Sequence, residues 1–563
     1  MKDLFRCLDE YPYELHQALA DAWGVDLPRD EPLRTVVRLG EGMLIPGALE
    51  TMITRLSPAA RDALADVAHS GGASSARVLA MRHGEVRRFG PAGLRREQPW
   101  QNPVSPLEEL YYRGLLYRAF GDLGGSIGEL LVIPDQLLER MPALDSRALP
   151  DSLAVGTPGE TPLCAGDALV EDLMAEIVHL RQQPVRVPSG MELSAELHVR
   201  LNLGERLVGA ATPARVHLLW RLMVGQELVE HDGRQWHLSQ RARQWLGQPD
   251  SEQWLACYLA WRDDRTWDEL YDLPSLACDR NGCPNEPWQA RRRLCAILEE
   301  LPEGQWIDLD SLVTSIKRYH PDYLRPDGDM DSWFVRDAAS GEFLRGMAGW
   351  DAIEGALAVH LITGPLHWLG IVDLVAGEEE SQRLFRISPA GQEMLAELPP
   401  HLPDIRPGEA LAAVDTRMQI TIGMRDSRYQ RYQLERLARW QGQDTVLARY
   451  WLSEDAVWQA QNVGITTEQM LVFLRRITHE RVPDLVVHTL QAWGQRFGGA
   501  SLRRVVLLET VDAAMMQRIR QVAAISALLG QSLGATRCLV DEDNMERLLS
   551  ELKKRNIWPR LGR

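Results

Sequence analysis

Six guanidinium groups gather between residues 73 and 98: Arg77, Arg82, Arg87, Arg88, Arg95 and Arg96, opposed in that stretch only by Glu85 and Glu97. Arginine forks onto phosphate oxygens and onto guanine, so a local excess of this kind is a candidate nucleic-acid contact. The competing reading is a solvated arginine-rich loop in a lysine-poor protein. The remaining residue types that could do chemistry stand at the wrong spacing. Gly124-Gly125-Ser126-Ile127-Gly128 has the G-x-S-x-G form, yet that nucleophile elbow needs a strand before it and a helix after it. Here Glu129-Leu130-Leu131-Val132-Ile133 follows, which reads as a strand, so the motif is a turn. Asp327-Gly328-Asp329-Met330-Asp331 starts like a calcium loop, but Ser332 and Ala338 stand where glycine and a bidentate glutamate belong. Cys257, Cys278, Cys283 and Cys295 lack the second paired knuckle of a structural zinc site. Gly40-Glu41-Gly42 has Ile45 where a dinucleotide loop has its third glycine. No catalytic residue, metal site or cofactor is expected.

The lysines sharpen that expectation. Lys2, Lys317, Lys553 and Lys554 are the only ones in 563 residues, and none follows a glycine. A Walker A loop uses that lysine to reach the β- and γ-phosphates, so the sequence contains no such loop. A net charge of −17 argues against a surface that is positive throughout, and confines any nucleic-acid contact to a local patch. Seven scattered cysteines read as reduced thiols of a cytoplasmic protein, and no apolar run is long enough to span a membrane.

The elements that must carry the arginines follow one plan three times over. Each unit runs amphipathic helix, glycine, apolar strand, polar turn, second strand, helix. In the first, a helix over 107–112 is stopped by Gly114, strands follow at 115–120 and 129–133, and Asp135 is placed to cap a helix to 141. In the second, a helix over 213–224 stops at Gly225, strands at 227–231 and 235–238 pair around Asp232-Gly233, and Ser239 caps 240–246. In the third, a helix over 351–369 ends at Gly370, strands follow at 371–375 and 384–387, and Ser388-Pro389 opens a helix. Glycine closes helices in the left-handed conformation, Asp-Gly makes tight hairpins, and Ser before Pro starts helices. Helices followed by a two-stranded wing describe a winged helix, with upstream helices at 58–68 and 75–83 for the first unit and 288–301 and 310–319 for the third. In such modules the third helix enters the major groove, and the arginine cluster lies on the second helix and the loop before that third helix. The apolar helix over 352–369 has no Lys or Arg and contains Pro365, which reads as buried or as a protein-binding face.

The expected architecture is mainly α with small β-wings, as tandem winged-helix units and a C-terminal α+β domain. Its boundaries are an N-terminal helical segment 1–50, winged helix 51–146, linker and helix 147–187, short winged helix 188–250, tryptophan-rich connector 251–288, winged helix 289–400 and C-terminal domain 408–563. Pro- and Gly-rich stretches at 147–167 and 398–407 mark linkers. After about 410 come three short helices at 453–462, 466–478 and 483–497, then strand 504–508, helix 513–530, strand 536–540 and helix 543–556.

Tyr450-Trp451-Leu452-Ser453-Glu454, Gly464-Ile465-Thr466, Phe473-Leu474, 483–493, 502–509 and 541–558 form a succession that resembles the helicase-associated domain related to the N-terminal region of XPB-type helicases, widespread in bacterial proteins. The resemblance covers roughly 410–563 and implies an accessory role beside DNA-remodelling ATPases. With no helicase lobes and no Walker lysine, it does not imply helicase activity. The expectation is a cytoplasmic, non-enzymatic protein that binds duplex or junction DNA, or docks on a separate DNA-translocating ATPase. The alternative is a protein–protein scaffold whose winged helices do not bind nucleic acid.

Overall fold

A computed structural model describes residues 3–27, 32–123, 126–142, 144, 153–182, 206–233, 235–279, 283, 285–377, 382–402, 412–424, 426–444, 446–500 and 505–561. It is mainly helical with small sheets, and it divides into two compact units. The larger comprises 1–411, 422–435 and 440–449; the smaller comprises 412–421, 436–439 and 450–563. Among the described residues no helix is long and apolar enough to cross a membrane.

The larger unit has two hydrophobic cores. The first gathers Leu4, Leu19, Leu39, Leu64, Leu110, Tyr117 and Leu131. Its central helix Pro58–His69 starts where Ser57 accepts a hydrogen bond from the Ala60 amide and Pro58 presets the first turn. A short strand Ala73–Ser75 leads into helix Ala76–His83, and Pro91–Glu97 and Pro106–Tyr112 follow. Strands Tyr117–Leu123 and Ser126–Val132 then pair antiparallel, and Ala73–Ser75 adds to the outer side of the second, with Ser74 opposite Leu131. Ser126 therefore begins a strand and is no nucleophile elbow; Gly124 and Gly125 lie outside the described residues. Asp135 is the first residue of helix Asp135–Leu138, so the expected aspartate cap is absent and Pro134 holds that position.

The second core runs from Leu169 to Leu395 and also takes in Tyr432. Helices Ala168–Gln182 and Pro213–Gly225 pack together beside the hairpin Val229–His231 and Trp236–Leu238. The left-handed position that closes Pro213–Gly225 is taken by Glu227, not by Gly225 as the sequence suggests. Ser239 caps Gln240–Leu246 as expected. Residues 188–205, assigned from sequence to the second winged helix, lie outside the described residues. The connector forms helix Asp250–Arg262 and a 3-10 turn Glu269–Asp272, and its strand Leu276–Cys278 pairs with Val335–Asp337.

The third unit repeats the topology of the first. Helix Pro287–Glu299, strand Ile307–Asp308 and helix Leu309–Tyr319 precede the apolar helix, and strands Val372–Ala376 and Arg383–Ile387 close it. Again the short strand pairs with the last strand of the hairpin, Phe385 opposite Ile307. The apolar helix has two π-type turns, Asp351–Gly355 and Ile362–Leu366, around Ala356–Leu361; the second contains Pro365, whose missing N–H breaks the regular ladder. Residues 153–167, read from sequence as linker, run along this unit. Leu163 exchanges both backbone hydrogen bonds with Leu374 (2.8 and 3.1 Å), and Asp308 N donates to Ala154 O at 2.9 Å.

The sequence reading assigns no strand between 410 and 450, yet among the described residues four are present: Ala413–Val414, Gln419–Gly423, Arg439–Gln443 and Leu447–Trp451. Their alternation is short: in Gln-Ile-Thr-Ile-Gly only Ile420 and Ile422 are fully buried side chains. In the smaller unit, helices Glu454–Asn462, Thr467–Ile477 and Asp484–Arg496 follow. Val505–Glu509 pairs antiparallel with Arg537–Asp541, which makes this end α+β and excludes a parallel α/β arrangement. The expected helix over 513–530 is broken into Ala513–Arg520 and Ala523–Ser526. Ile519 and Ile525 both reach the core, and six residues apart they would point about 120° apart on one unbroken helix.

Candidate nucleic-acid interface

Each arginine of the 77–96 cluster meets a carboxylate. Arg77 lies 3.8 Å from Asp329, and Arg82 lies 3.0 Å from Asp322 and 3.5 Å from Asp66. Arg88 pairs with Glu129, Arg95 with Glu14 at 2.6 Å and Arg96 with Glu97 at 2.8 Å. Arg87 is the most firmly held. Its Nε and Nη2 each donate to the Glu108 carboxylate at 2.8 Å, and the Val104 amide donates to the same carboxylate at 2.7 Å. Glu108 is inaccessible to solvent, and its hydrogen bonds hold the Arg87 guanidinium above its ordinary pKa. Burial pushes Asp66 up, but His83 at 2.8 Å and Arg82 together outweigh it and leave the carboxyl below its ordinary value.

Apart from Glu97, the partners come from outside the 73–98 window, so the local count of Glu85 and Glu97 understates the negative charge around the cluster. Exposed pairs of this kind are worth little, and a phosphate can compete for Arg77, Arg88, Arg95 and Arg96. Arg87 and Arg82 are built into the fold.

The third helix of this unit, expected in a major groove, has no open face. Leu107, Glu108, Glu109, Leu110 and Tyr112 of Pro106–Tyr112 are all buried. Helices of the first 50 residues cover it: Tyr11 Oη donates to Tyr111 O at 3.2 Å, and Trp23 Nε1 donates to Arg113 O at 2.9 Å. Both adjacent glutamates of this helix are buried. In the structure Arg87 takes one, and Ser57 Oγ donates to the other, Glu109, at 2.7 Å.

In the third unit the apolar helix buries Leu357, Ala358, Leu361, Ile362 and Leu366. Its outer side borders a groove of about 530 Å³ whose lining includes Asp310, Asp351, Val359, His360 and Thr363, which is unsuited to phosphate. The calcium-like loop is occupied by its own turns. The Asp331 and Ser332 amides donate to Asp329 Oδ1 at 3.1 Å, and the Asp329 amide to Asp327 Oδ1 at 3.1 Å. All seven cysteines are free thiols. Among the described residues no group of three or more His, Cys, Asp or Glu could hold a metal ion.

The smaller unit carries features the sequence reading missed. Trp458, Trp493 and Phe497 line a groove of about 410 Å³. Arg475, Arg476 and Arg481 are exposed and, among the described residues, have no carboxylate partner. A charge count alone would not find them, because Glu468, Glu480 and Asp484 stand nearby in sequence.

Residues 413–534 match a family model described as a helicase conserved C-terminal domain. The C-terminal region is helicase-related. No curated protein matches the chain. The matched stretch contains the three helices from Glu454 to Arg496, the aromatic groove and the unpaired arginines.

Proposed function

We propose that this protein is a cytoplasmic, non-catalytic accessory factor of a separate DNA-translocating ATPase, docking on that partner and contacting duplex or junction DNA locally. The observation that carries the reading is the helicase-related stretch 413–534 in a sequence that has no Gly-Lys pair to form a Walker A loop. The repeated order of helix, short strand, further helices and hairpin, with the short strand pairing on the last strand of the hairpin in both, supports reading 51–146 and 289–400 as winged helices, and the succession after 450 supports likeness to the XPB-type N-terminal region. A second reading, a protein–protein scaffold, is favoured by one specific observation: the first unit's arginines are paired and its third helix is covered.

The purified chain is expected to show no ATP hydrolysis of its own. It should co-purify with a translocating ATPase from its source cell and change that enzyme's DNA-dependent turnover. Metal-dependent ATP turnover that follows the protein through purification would overturn the non-catalytic reading. Absence of any effect on, or association with, such an ATPase would overturn the accessory role.

A further inference from the structure

Helices Glu454–Asn462 and Thr467–Ile477 are joined by the short turn 463–466, in which Gly464 takes a left-handed φ of 87°. The Ile465 amide donates back to Ala460 O at 3.0 Å, which closes the first helix. Thr466 and Gln469 form a reciprocal capping box that starts the second, with bonds of 3.2 and 2.9 Å. Ala456, Val457 and Ala460 of the first helix are buried, as are Met470, Leu471, Leu474 and Ile477 of the second. The third helix, Asp484–Arg496, packs against both and comes so close that a Cβ on Gly494 would lie 2.6 Å from Thr467 Cγ2. Two helices across a short glycine-containing turn, braced by another helix, make a helix-turn-helix.

The second helix presents an open face, unlike Pro106–Tyr112. Glu468, Gln469, Val472, Arg475 and Arg476 are all exposed, Val472 at 64 %. These positions recur at three- and four-residue spacing, which places them on one side of the helix. Eleven residues span about 16 Å, enough to lie in a major groove about 12 Å wide.

We propose that Thr467–Ile477 is the recognition helix of a duplex-DNA-binding helix-turn-helix. Arg475 and Arg476, with Arg481 just beyond, meet phosphates or guanine; Val472 meets a thymine methyl. Glu468, near the helix N-terminus that approaches base edges in this motif, accepts from a cytosine amino group. Charge complementarity favours DNA over a protein occupant at this end of the face, since the guanidinium groups stand uncompensated by carboxylates. Glu480 and Asp484 beside it keep the affinity modest. The inference rests on the DNA-contacting part of the proposed function and moves its site away from Arg77–Arg96.

The test uses the full chain and a labelled duplex of about two helical turns, with fluorescence anisotropy across a salt series. Wild type is expected to bind, with affinity falling as salt rises. R475E/R476E is expected to weaken binding by roughly 10- to 100-fold and to flatten the salt slope by about 2 log units per decade of salt. R475A/R476A should show the same direction with a smaller loss. Both positions are exposed and unpaired, so the variants should melt as wild type does; the alanine pair decides the matter if the reversal does not. E468Q should alter preference among duplex sequences more than overall affinity. Binding by wild type that neither double variant disturbs overturns this site while leaving DNA binding intact. No binding at any salt overturns the DNA-contacting reading as well. Loss of ATPase association in R475E/R476E with unchanged DNA affinity would assign the face to a protein partner and overturn the proposal.

Discussion

Glu171 and Arg428 meet at 2.7 Å although 257 residues separate them. Arg431 adds two bonds to the same carboxylate, at 2.6 and 2.7 Å, and Arg428 also reaches Asp167 and Asp250. Both guanidinium groups are buried. Burial raises Glu171, but the two arginines outweigh it and hold the carboxyl below its ordinary pKa. Helix Arg428–Leu434 thereby belongs to the larger unit, although it lies in sequence beyond the expected boundary at 408.

Removing that carboxylate leaves two buried cations without their shared partner. Glu171→Ala is expected to destabilise the larger unit by about 3–5 kcal/mol, measured by denaturant unfolding. In a fragment covering 408–563 the same arginines lose Glu171, so amides 428–434 should exchange fast with solvent there and slowly in the full chain. A loss below about 1 kcal/mol, or equal protection in both, would contradict this account.

Much of the local structure was legible because its causes are local. Ser239, Ser388 and Thr466 cap helices at the positions their spacing indicates, and Gly370 closes a helix in the left-handed conformation. What was illegible depends on partners distant in sequence. Glu108 and Glu109 are buried with Arg87 and Ser57 as partners, and Arg428 with Glu171, none of which a local stretch of sequence brings together. The surroundings of the candidate site were hidden in the same way: a window count sees Arg77 and Arg82 but not Asp329, Asp322 and Asp66. The unpaired arginines at 475 and 476 are the converse, hidden among acids that do not pair with them.

Gly370 is required twice over. Its φ is 76°, and a Cβ there would lie 2.3 Å from Gly166 O and 2.6 Å from Trp254 Cζ2. Gly304 has a similar φ of 68° but open space around it. Gly370→Ala should therefore cost roughly 2–4 kcal/mol, and Gly304→Ala roughly 1 kcal/mol, from conformation alone. Chemical denaturation midpoints of the two variants compare them directly; equal losses would remove the steric part of the explanation.

Arg87 cannot serve as a neutral probe of DNA contact. Arg87→Glu would set a second carboxylate against the inaccessible Glu108, whereas Arg96→Glu disturbs only an exposed pair with Glu97. Arg87→Glu is expected to lower the melting temperature by several degrees and Arg96→Glu hardly at all. A weakened DNA affinity in the first variant therefore counts only if its thermal melt matches wild type.

Glu176 lies fully buried on helix Ala168–Gln182, one turn beyond Asp172, and neither carboxylate oxygen has a hydrogen-bond partner among the described residues. Burial, with the charge of Asp172 adding to it, pushes its carboxyl up to about 8; Arg215 opposes the shift but is engaged by Asp172 at 2.5 Å. The group is thus protonated in the folded protein at neutral pH and ionised in the unfolded chain. A folded-state pKa above the unfolded value makes protonated Glu176 fully stabilising below about 4.5, and that contribution is lost as pH rises to about 8. The loss runs at roughly 1 kcal/mol per pH unit across the window. Glu176→Gln keeps the shape and cannot ionise. Denaturant unfolding of both proteins at several pH values should show the stability difference, variant minus wild type, growing from pH 5 to about 8 and then levelling. A difference that stays flat with pH would mean that Glu176 is charged and partnered in the folded state.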